Sequence, residues 1–557
     1  MNASNATEPT IDPTSTHEVL NQPPLMPTRD VFADDAALSE ALTRHGGGAH
    51  ADRLHELGRR AGLPEWRALG TEANRDLPRL ASHDRHGNRL DEVQYNPAWH
   101  DMMRSSVEWG LHADPWQSDE KGAHVARAAG FIIWTQVEPG HLCPISMTYA
   151  SVAALSTDPD LAALWTPRLA ARSYDFGLRA PSTKRGLIAG MAMTEKQGGS
   201  DVRANTTQAV PQSDGSYRLT GHKWFVSAPM SDVFLVLAQA PGGLTCFLLP
   251  RVLEDGTRNT FRIQRLKDKL GNRSNASSEV ELANTYAERL GDEGRGVRTI
   301  VEMVSATRLD CVLGAAGLMR GAVSAATWHV SHRAAFGETL VDQPLMRNVL
   351  ADLAVEVEAT IALGMRLAAA VDAAQAGDQS EAMLRRIALP AAKFWSTKRS
   401  IAVAAEALEC LGGPGYVEDS GMPLIYREAP VNSVWEGSGN VNSLDLLRAM
   451  AKEPGSVDAL LLELGKASGA DSRYDAAVAD LLTQFSDLSD LEYRSRGLAS
   501  RIAVLLQGAQ LLQYGPDAVA DAFVATRIAG DGGTQFGTLP RGLDVDAIID
   551  RVLLAST

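Results

Sequence analysis

The residues best able to do chemistry lie in five short segments. Val434-Trp-Glu436-Gly-Ser438-Gly-Asn440 sets one glutamate between apolar neighbours and a glycine-rich turn that opens a helix. Buried beside a flat cofactor, such a carboxylate can take a proton from carbon. On its own it is equally an anion favoured by the helix dipole. Met191-Ala-Met193-Thr194-Glu-Lys-Gln-Gly198-Gly199-Ser200-Asp201 joins two glycines to hydroxyls, a loop whose backbone can approach a ligand and donate to it. His222-Lys-Trp224-Phe225-Val226-Ser227 puts an indole at a strand end, where it can stack on an aromatic ligand. Arg333-Ala-Ala-Phe336-Gly337, with Gln343 following, offers a guanidinium, a ring and an amide, which suit a phosphate and a purine. Leu411-Gly412-Gly413-Pro-Gly415 exposes backbone after a helix and is otherwise an ordinary helix end.

These segments need a large scaffold. At about 100–200 residues per domain, the 557 residues should form three or four domains. The hydrophobic share of 45% and charged share of 22% are those of a globular chain. A net charge of −15 makes the whole chain no magnet for nucleic acid or acidic membranes. The cysteines at 143, 246, 311 and 410 form no CxxC pair, which argues against a disulfide framework and a structural zinc. No basic start followed by an apolar stretch opens the chain, and the uncharged runs fall short of a membrane span, so a cytoplasmic location is expected.

Residues 1–33, rich in Asn, Thr, Pro and Ser, read as a flexible arm that could dock on a partner subunit. Residues 34–185 follow a helical period. From 186 to 293 the pattern changes to short alternating or apolar runs (Ser216–Val226, Val233–Gln239, Leu244–Leu249, Phe261–Leu266, Ser278–Leu282) separated by turn signals. With no crossover helices between them, these strands predict an antiparallel β domain rather than a parallel dinucleotide-binding sheet. Alanine-rich helical segments at 294–333, 343–376, 380–411 and 441–452 predict a four-helix bundle over 294–453. Residues 454–557 form an extra helical domain after Glu453-Pro-Gly455. The fold class is α+β and multidomain.

In this order and spacing the five segments resemble the acyl-CoA dehydrogenase family of flavoproteins, over about 190–450. Cys143-Pro-Ile-Ser-Met-Thr148, Met193–Asp201, Arg265–Ala276 and Pro430–Asn440, with the extra terminal domain, narrow the likeness to the family's AidB type, flavoproteins of the bacterial alkylation response. The resemblance implies a helical domain, an antiparallel β-barrel and a four-helix bundle, assembled as a homotetramer that holds FAD between barrel and bundle. Carried over position by position, it implies that Met193, Thr194 and Ser200 contact the isoalloxazine and pyrophosphate. Trp224 would stack near the ring, with Phe225, Val226 and Ser227 alongside. Arg333, Phe336, Gln343, Gly412 and Gly413 would serve the cofactor across a subunit interface, and Ser438 and Asn440 would contact the flavin. Glu436 matches the base that removes the α-proton of an acyl thioester while the β-hydride passes to flavin N5.

Two positions depart from the family pattern: Lys196 stands where the loop often has proline, and Glu409 where many relatives have glutamine. The AidB likeness also implies double-stranded DNA as a partner. Residues 456–557 oppose this with eight Lys or Arg against fourteen Asp or Glu, since duplex binding rests on neutralising phosphates. The basic clusters Lys267/Lys269/Arg273, Arg385/Arg386 and Lys393/Lys398/Arg399 read mainly as solvated helix faces or partners of acidic neighbours. The reading is therefore an FAD oxidoreductase of the AidB type with weak, isovaleryl-like acyl-CoA dehydrogenase capacity and a DNA association. The alternative is an ordinary short- or branched-chain acyl-CoA dehydrogenase without a DNA role. A flavin monooxygenase on the same fold is disfavoured by Glu436.

Overall fold

The computed structural model describes residues 16–554. Residues 1–15 of the expected arm lie outside the described residues. The rest of that arm is not free. Trp328 Nε1 donates to Pro24 O at 2.8 Å, Arg333 Nη1 donates to Asn21 O at 2.6 Å, and Val31 and Phe32 are buried in the core. Residues 21–33 thus strap the chain's own helices.

The N-terminal domain holds α1 (Ala36–Arg44), α2 (Ala51–Ala61), α3 (Pro64–Arg75), a hairpin of β1 (Arg79–His83) and β2 (Arg89–Gln94), α4 (Pro97–Glu108), α5 (Ala123–Thr135), α6 (Leu142–Leu155) and α7 (Pro159–Leu169). Local chemistry starts these helices: Asp35, Asn96 and Asp158 cap α1, α4 and α7 through side-chain oxygens, and Pro97 and Pro159 follow two of the caps. The hairpin corrects the all-helical expectation for this stretch. Asp84 accepts the amides of His86 and Asn88 and closes a tight turn, and Arg89 and Asp91 tie the second strand to Ile263 of the barrel.

The β domain comprises β3 (Ala189–Ala192), β4 (Gln208–Pro211), β5 (Tyr217–Ser227), β6 (Val233–Ala240), β7 (Gly243–Pro250), β8 (Arg262–Leu266) and β9 (Ser277–Leu290). The order β3-β6-β4-β5-β9-β7 closes through β7 on β6, and β8 lies on β9. Pairings are antiparallel except that β3, and β4 at one residue pair, run parallel to β6. The excursion through β4 and β5 is long enough to return the chain in the same direction without a helix.

Four antiparallel segments build the bundle: α8 (Gly296–His332), α9 (Pro344–Gln375), α10 (Gln379–Cys410) and the broken pair α11 (Met422–Val434) and α12 (Gly439–Lys452). α8 is long and apolar enough to cross a bilayer, yet 89% of its apolar window is buried within the protein. Its Gly317 is required for packing, because a Cβ there would stand 2.7 Å from Ile132 O of α5. α6 lies between α8 and β3 and buries every residue but Ala153, so it joins bundle to barrel.

The terminal domain contains α13 (Gly455–Gly465), α14 (Ser472–Ser486), α15 (Leu491–Tyr514), α16 (Asp517–Phe523) and α17 (Val545–Asp550). Charges fasten it to the bundle. Arg366 of α9 grips buried Glu463 at 2.7 Å, Arg527 meets Asp352 and Glu356, and Arg551 meets Glu358 at 2.7 Å.

Candidate active site

On the barrel side, the loop after β3 turns at Gly198, whose φ of +149° suits only glycine. Glu195 points inward and is fully buried. It accepts Lys223 Nζ at 2.8 Å, the amides of Thr206 and Thr207 at 2.7 and 3.1 Å, and Thr207 Oγ1 at 2.6 Å. Burial opposes its charge, but these donors prevail and hold the carboxyl far below its ordinary range. The rest of the loop then faces outward: Met193 and Thr194 are half-buried and Ser200 is exposed. Trp224 N donates to Thr194 O at 2.8 Å, which ties the loop to the end of β5.

There Trp224 is half-buried and Phe225 is exposed, while Val226 is sunk in the barrel core and offers a ligand only its backbone. Ser227 Oγ lies 3.0 Å from Ser277 Oγ. Three cations gather round the Trp224 indole: Lys267 Nζ at 3.3 Å from the ring centre, Lys196 Nζ at 5.5 Å and Arg265 at 5.7 Å. Any flat ligand stacking there shares the ring with them.

On the bundle side, Trp435–Ser438 links α11 to α12. Glu436 has φ +58° and Gly437 φ +97°. The first is an uncommon conformation for a side-chain-bearing residue and costs about 1–3 kcal/mol. Surrounding donors secure it. Arg308 Nε donates to Glu436 O at 3.0 Å, Lys393 Nζ to Trp435 O at 2.7 Å and Gly437 O at 2.5 Å, and Asn442 Nδ2 to Gly437 O at 2.6 Å. Arg308 is in turn neutralised by Asp445 at 2.5 Å, which also takes Arg386 at 3.1 Å.

The Glu436 carboxyl ends in Oε2, a buried oxygen with no hydrogen-bond partner. Burial raises its pKa, against the lowering pull of Thr307, Lys393 and Arg308 and with a further push from Asp310. It is a poorly solvated carboxylate, suited to accept a proton. Two neighbouring thiols, Cys143 of α6 and Cys311 of α8, are pushed up to about 12 by burial and stay neutral. Cys143 lies beside Ser227 and feels the Glu436 charge, so α6 brings the end of β5 and the bundle turn to one place. Met193 and Trp435 pack against the same apolar cluster.

The remaining candidates stand apart. Arg333 and Phe336 sit on a small hairpin (Ala334–Ala335 with Glu338–Thr339) whose Ala334 is clamped by Asn21, Nδ2 to O and N to Oδ1, both 2.8 Å. Phe336 has φ +55° and is 100% exposed, and Gln343 Nε2 donates to Ala335 O at 2.8 Å. Gly412 (φ +64°) and Gly413 are exposed with open space beside them, and Glu409 is exposed nearby. Among the described residues no hydrogen bond or ion pair joins this group to the Glu436 turn. Ser438 and Asn440 lie exposed at the start of α12, where Asn440 Oδ1 accepts Arg496 Nη1 at 3.1 Å.

Residues that sequence reasoning missed are those that hold the others: Lys223, Thr307, Arg308 and Lys393. Lys393, read with its basic cluster as a solvated helix face or a partner of acidic neighbours, is 1% exposed. Its position on the inner face of α10 was the available signal.

Sequence comparison matches residues 21–176 to the N-terminal domain of the adaptive response protein AidB, 190–285 to the acyl-CoA dehydrogenase middle domain and 294–451 to the acyl-CoA dehydrogenase C-terminal domain. AidB of Escherichia coli (strain K12) is 46% identical over 93% of this chain and 96% of its own length. Among solved structures, Caenorhabditis elegans ACDH-11 in complex with C11-CoA superposes with TM-score 0.84 at 29% identity, covering 97% of each chain. An acyl-CoA dehydrogenase from Bacillus anthracis complexed with FAD shares the fold, at TM-score 0.59 and 18% identity over 78% of each chain.

Proposed function

The chain belongs to the acyl-CoA dehydrogenase family, in its AidB branch, and on that premise we propose that this FAD-dependent oxidoreductase slowly dehydrogenates a short or branched acyl-CoA thioester of the isovaleryl kind. The observation that carries the reading is Glu436, whose buried Oε2 has no partner of its own.

The residues present fit a flavin dinucleotide. Gly198, Gly412 and Gly413 offer open backbone, Gly199 packs closely on the Thr194 side chain, Thr194 and Ser200 offer hydroxyls, and Trp224 and Phe225 offer aromatic surface at the barrel edge. Met193, Thr194, Ser200, Trp224, Phe225, Ser227, Ser438, Asn440 and the Val226 backbone would hold the flavin end. Bound FAD would supply the acceptor for the hydride that leaves the β-carbon. Glu436 Oε2 takes the α-proton. Thr307 and Arg308 steady the carboxylate side chain and its backbone, and the buried thiols of Cys143 and Cys311 stay neutral and do not compete as nucleophiles. The substrate loses one proton and one hydride.

Arg333, Phe336, Gln343, Gly412 and Gly413 stand away from Glu436 and are mostly open to solvent, which supports a homotetramer in which they serve a neighbouring subunit's cofactor. The thioester class is supported by the C11-CoA bound to the nematode neighbour. The test is anaerobic mixing of the yellow protein with a thioester panel that includes isovaleryl-CoA. One thioester should bleach the flavin band, and Glu436→Gln should slow bleaching by about 10²–10⁴-fold while keeping the colour. Equal bleaching by Glu436→Gln removes Glu436 from the mechanism.

The 46% identity to AidB favours a second reading, a cytoplasmic role in the response to DNA alkylation with double-stranded DNA binding. The terminal domain gives it little charge to use: Lys466, Arg473, Arg494, Arg501, Arg527 and Arg551 are each paired with carboxylates. Electrostatic binding should weaken steeply from low to physiological salt. No binding at low salt, or a flat response, overturns it.

A further inference from the structure

The turn that carries Glu436 is held by an ammonium from below. Lys393 rises from the middle of α10 with 1% of its surface exposed, and its Nζ meets the carbonyls on both sides of the glutamate, Trp435 O and Gly437 O. The intervening carbonyl, Glu436 O, is taken by Arg308. Three successive carbonyls are therefore turned toward cations of α8 and α10. With its carbonyls fixed that way, the backbone at 436 stays at φ +58°, and the carboxyl lies within electrostatic reach of Thr307, Lys393, Arg308 and Cys143.

We propose that Lys393 is a positioning residue for the Glu436 base: it fixes the backbone conformation from which the carboxylate is presented and supplies a positive charge that favours its ionised form. This rests on the reading of Glu436 as the base.

Two further observations agree. Arg308 already shares Asp445 with Arg386, whereas among the described residues no carboxylate forms an ion pair with Lys393. A buried cation without an anion is costly, and a site that keeps one uses it. The charged and titratable groups around the pair are Arg308, Asp310 and Cys311 on α8, Cys143 on α6, and Lys398 on α10. Burial lowers the Lys393 ammonium to about 8, with Cys311 and Glu436 pulling it up and Arg308 and Lys398 pushing it down. The lysine is thus cationic where Glu436 must be an anion, and loses that charge just above neutrality.

Holoenzyme carrying Lys393→Met, Lys393→Gln or Glu436→Gln is mixed anaerobically with isovaleryl-CoA across pH, and the limiting rate of flavin bleaching is followed. Lys393→Met removes charge and donor. It should slow bleaching by about 10²-fold, the scale of a misplaced reacting group, with FAD content unchanged. It should also move the acid limb of the profile up by about one pH unit, as loss of a close opposite charge does. Lys393→Gln keeps a donor without the charge, so the same shift with a smaller rate loss is expected. In FAD-free protein, amide exchange at 435–438 should quicken in Lys393→Met and less in Lys393→Gln. A wild-type rate and acid limb in Lys393→Gln overturn the proposal, whether or not Lys393→Met folds. If Glu436→Gln bleaches like wild type, the base assignment has failed; if it is inert while both Lys393 variants behave like wild type, only this proposal has.

Discussion

The loop after β3 and the turn before α12 solve one problem with opposite charges. In the barrel, the Glu195 carboxylate is sunk beneath the loop and collects amides, hydroxyls and the Lys223 ammonium. In the bundle, the Lys393 ammonium is sunk beneath the turn and collects carbonyls. Each buried ion organises a stretch of backbone, and Met193 of one stretch and Trp435 of the other pack against the same apolar cluster. The difference lies in the counter-ion. Glu195 has Lys223, so the barrel loop is neutral inside and its role is shape. Lys393 has none of its own, so its charge reaches Glu436. A buried ion with a partner builds structure, and one without a partner can tune a neighbour.

The largest expected break of this contrast is Glu195→Ala. It leaves Lys223 buried and unpaired and should cost about 3–5 kcal/mol, read as a lowered denaturant midpoint together with lost FAD. Next comes pH. The Glu195 carboxyl titrates lower in the folded protein than its ordinary 4.5, so its stabilisation is complete above that value and is lost as pH falls through the folded one. Denaturation of wild type and Glu195→Gln should differ by about 1.5–3 kcal/mol near neutrality, as for a hydrogen bond to a charged group, and converge in acid. A constant gap would mean that the charge is not what organises the loop. Gly437→Ala should cost about 1–3 kcal/mol, because φ there is +97° and the new Cβ would lie 2.9 Å from Val441. Flavin reduction should fall more than stability does. The smallest effect is that of Asn21→Ala, which frees the Arg333 hairpin from the strap and should cost about 1 kcal/mol, seen as faster amide exchange at 333–339.

The sequence carried the parts of this site that are local. The barrel strands lie between 189 and 290 and the bundle helices between 296 and 452, and burial on one face imposes the strand and helix periods that the sequence shows there. The ordered segments around Met193, Trp224 and Glu436 were legible because a close backbone approach demands glycine and small polar residues. The supports were not. Glu195 meets Lys223 across 28 residues and Lys393 reaches Trp435 across 42, and no spacing rule links such pairs. The β1–β2 hairpin escaped for another reason: β1 has no buried residue and the buried face of β2 alternates Asp91 with Val93, so neither strand shows an apolar alternation. The strap at 21–33 looked disordered by composition, yet hydrogen bonds from Trp328 and Arg333, the Asn21 clamp on Ala334 and the burial of Val31 and Phe32 hold it, none of which composition records.

The fastening of α17 has a consequence for assembly. Arg551 closes on Glu358 and also on Glu40, a separation of 511 residues, so α1 receives its cation from α17's end of the chain, far away in sequence. The same holds within the core, where Arg127 of α5 waits for Asp310. These pairs close only when segments far apart in sequence meet, so the charges of α1 and α5 are satisfied by tertiary assembly and not by local folding.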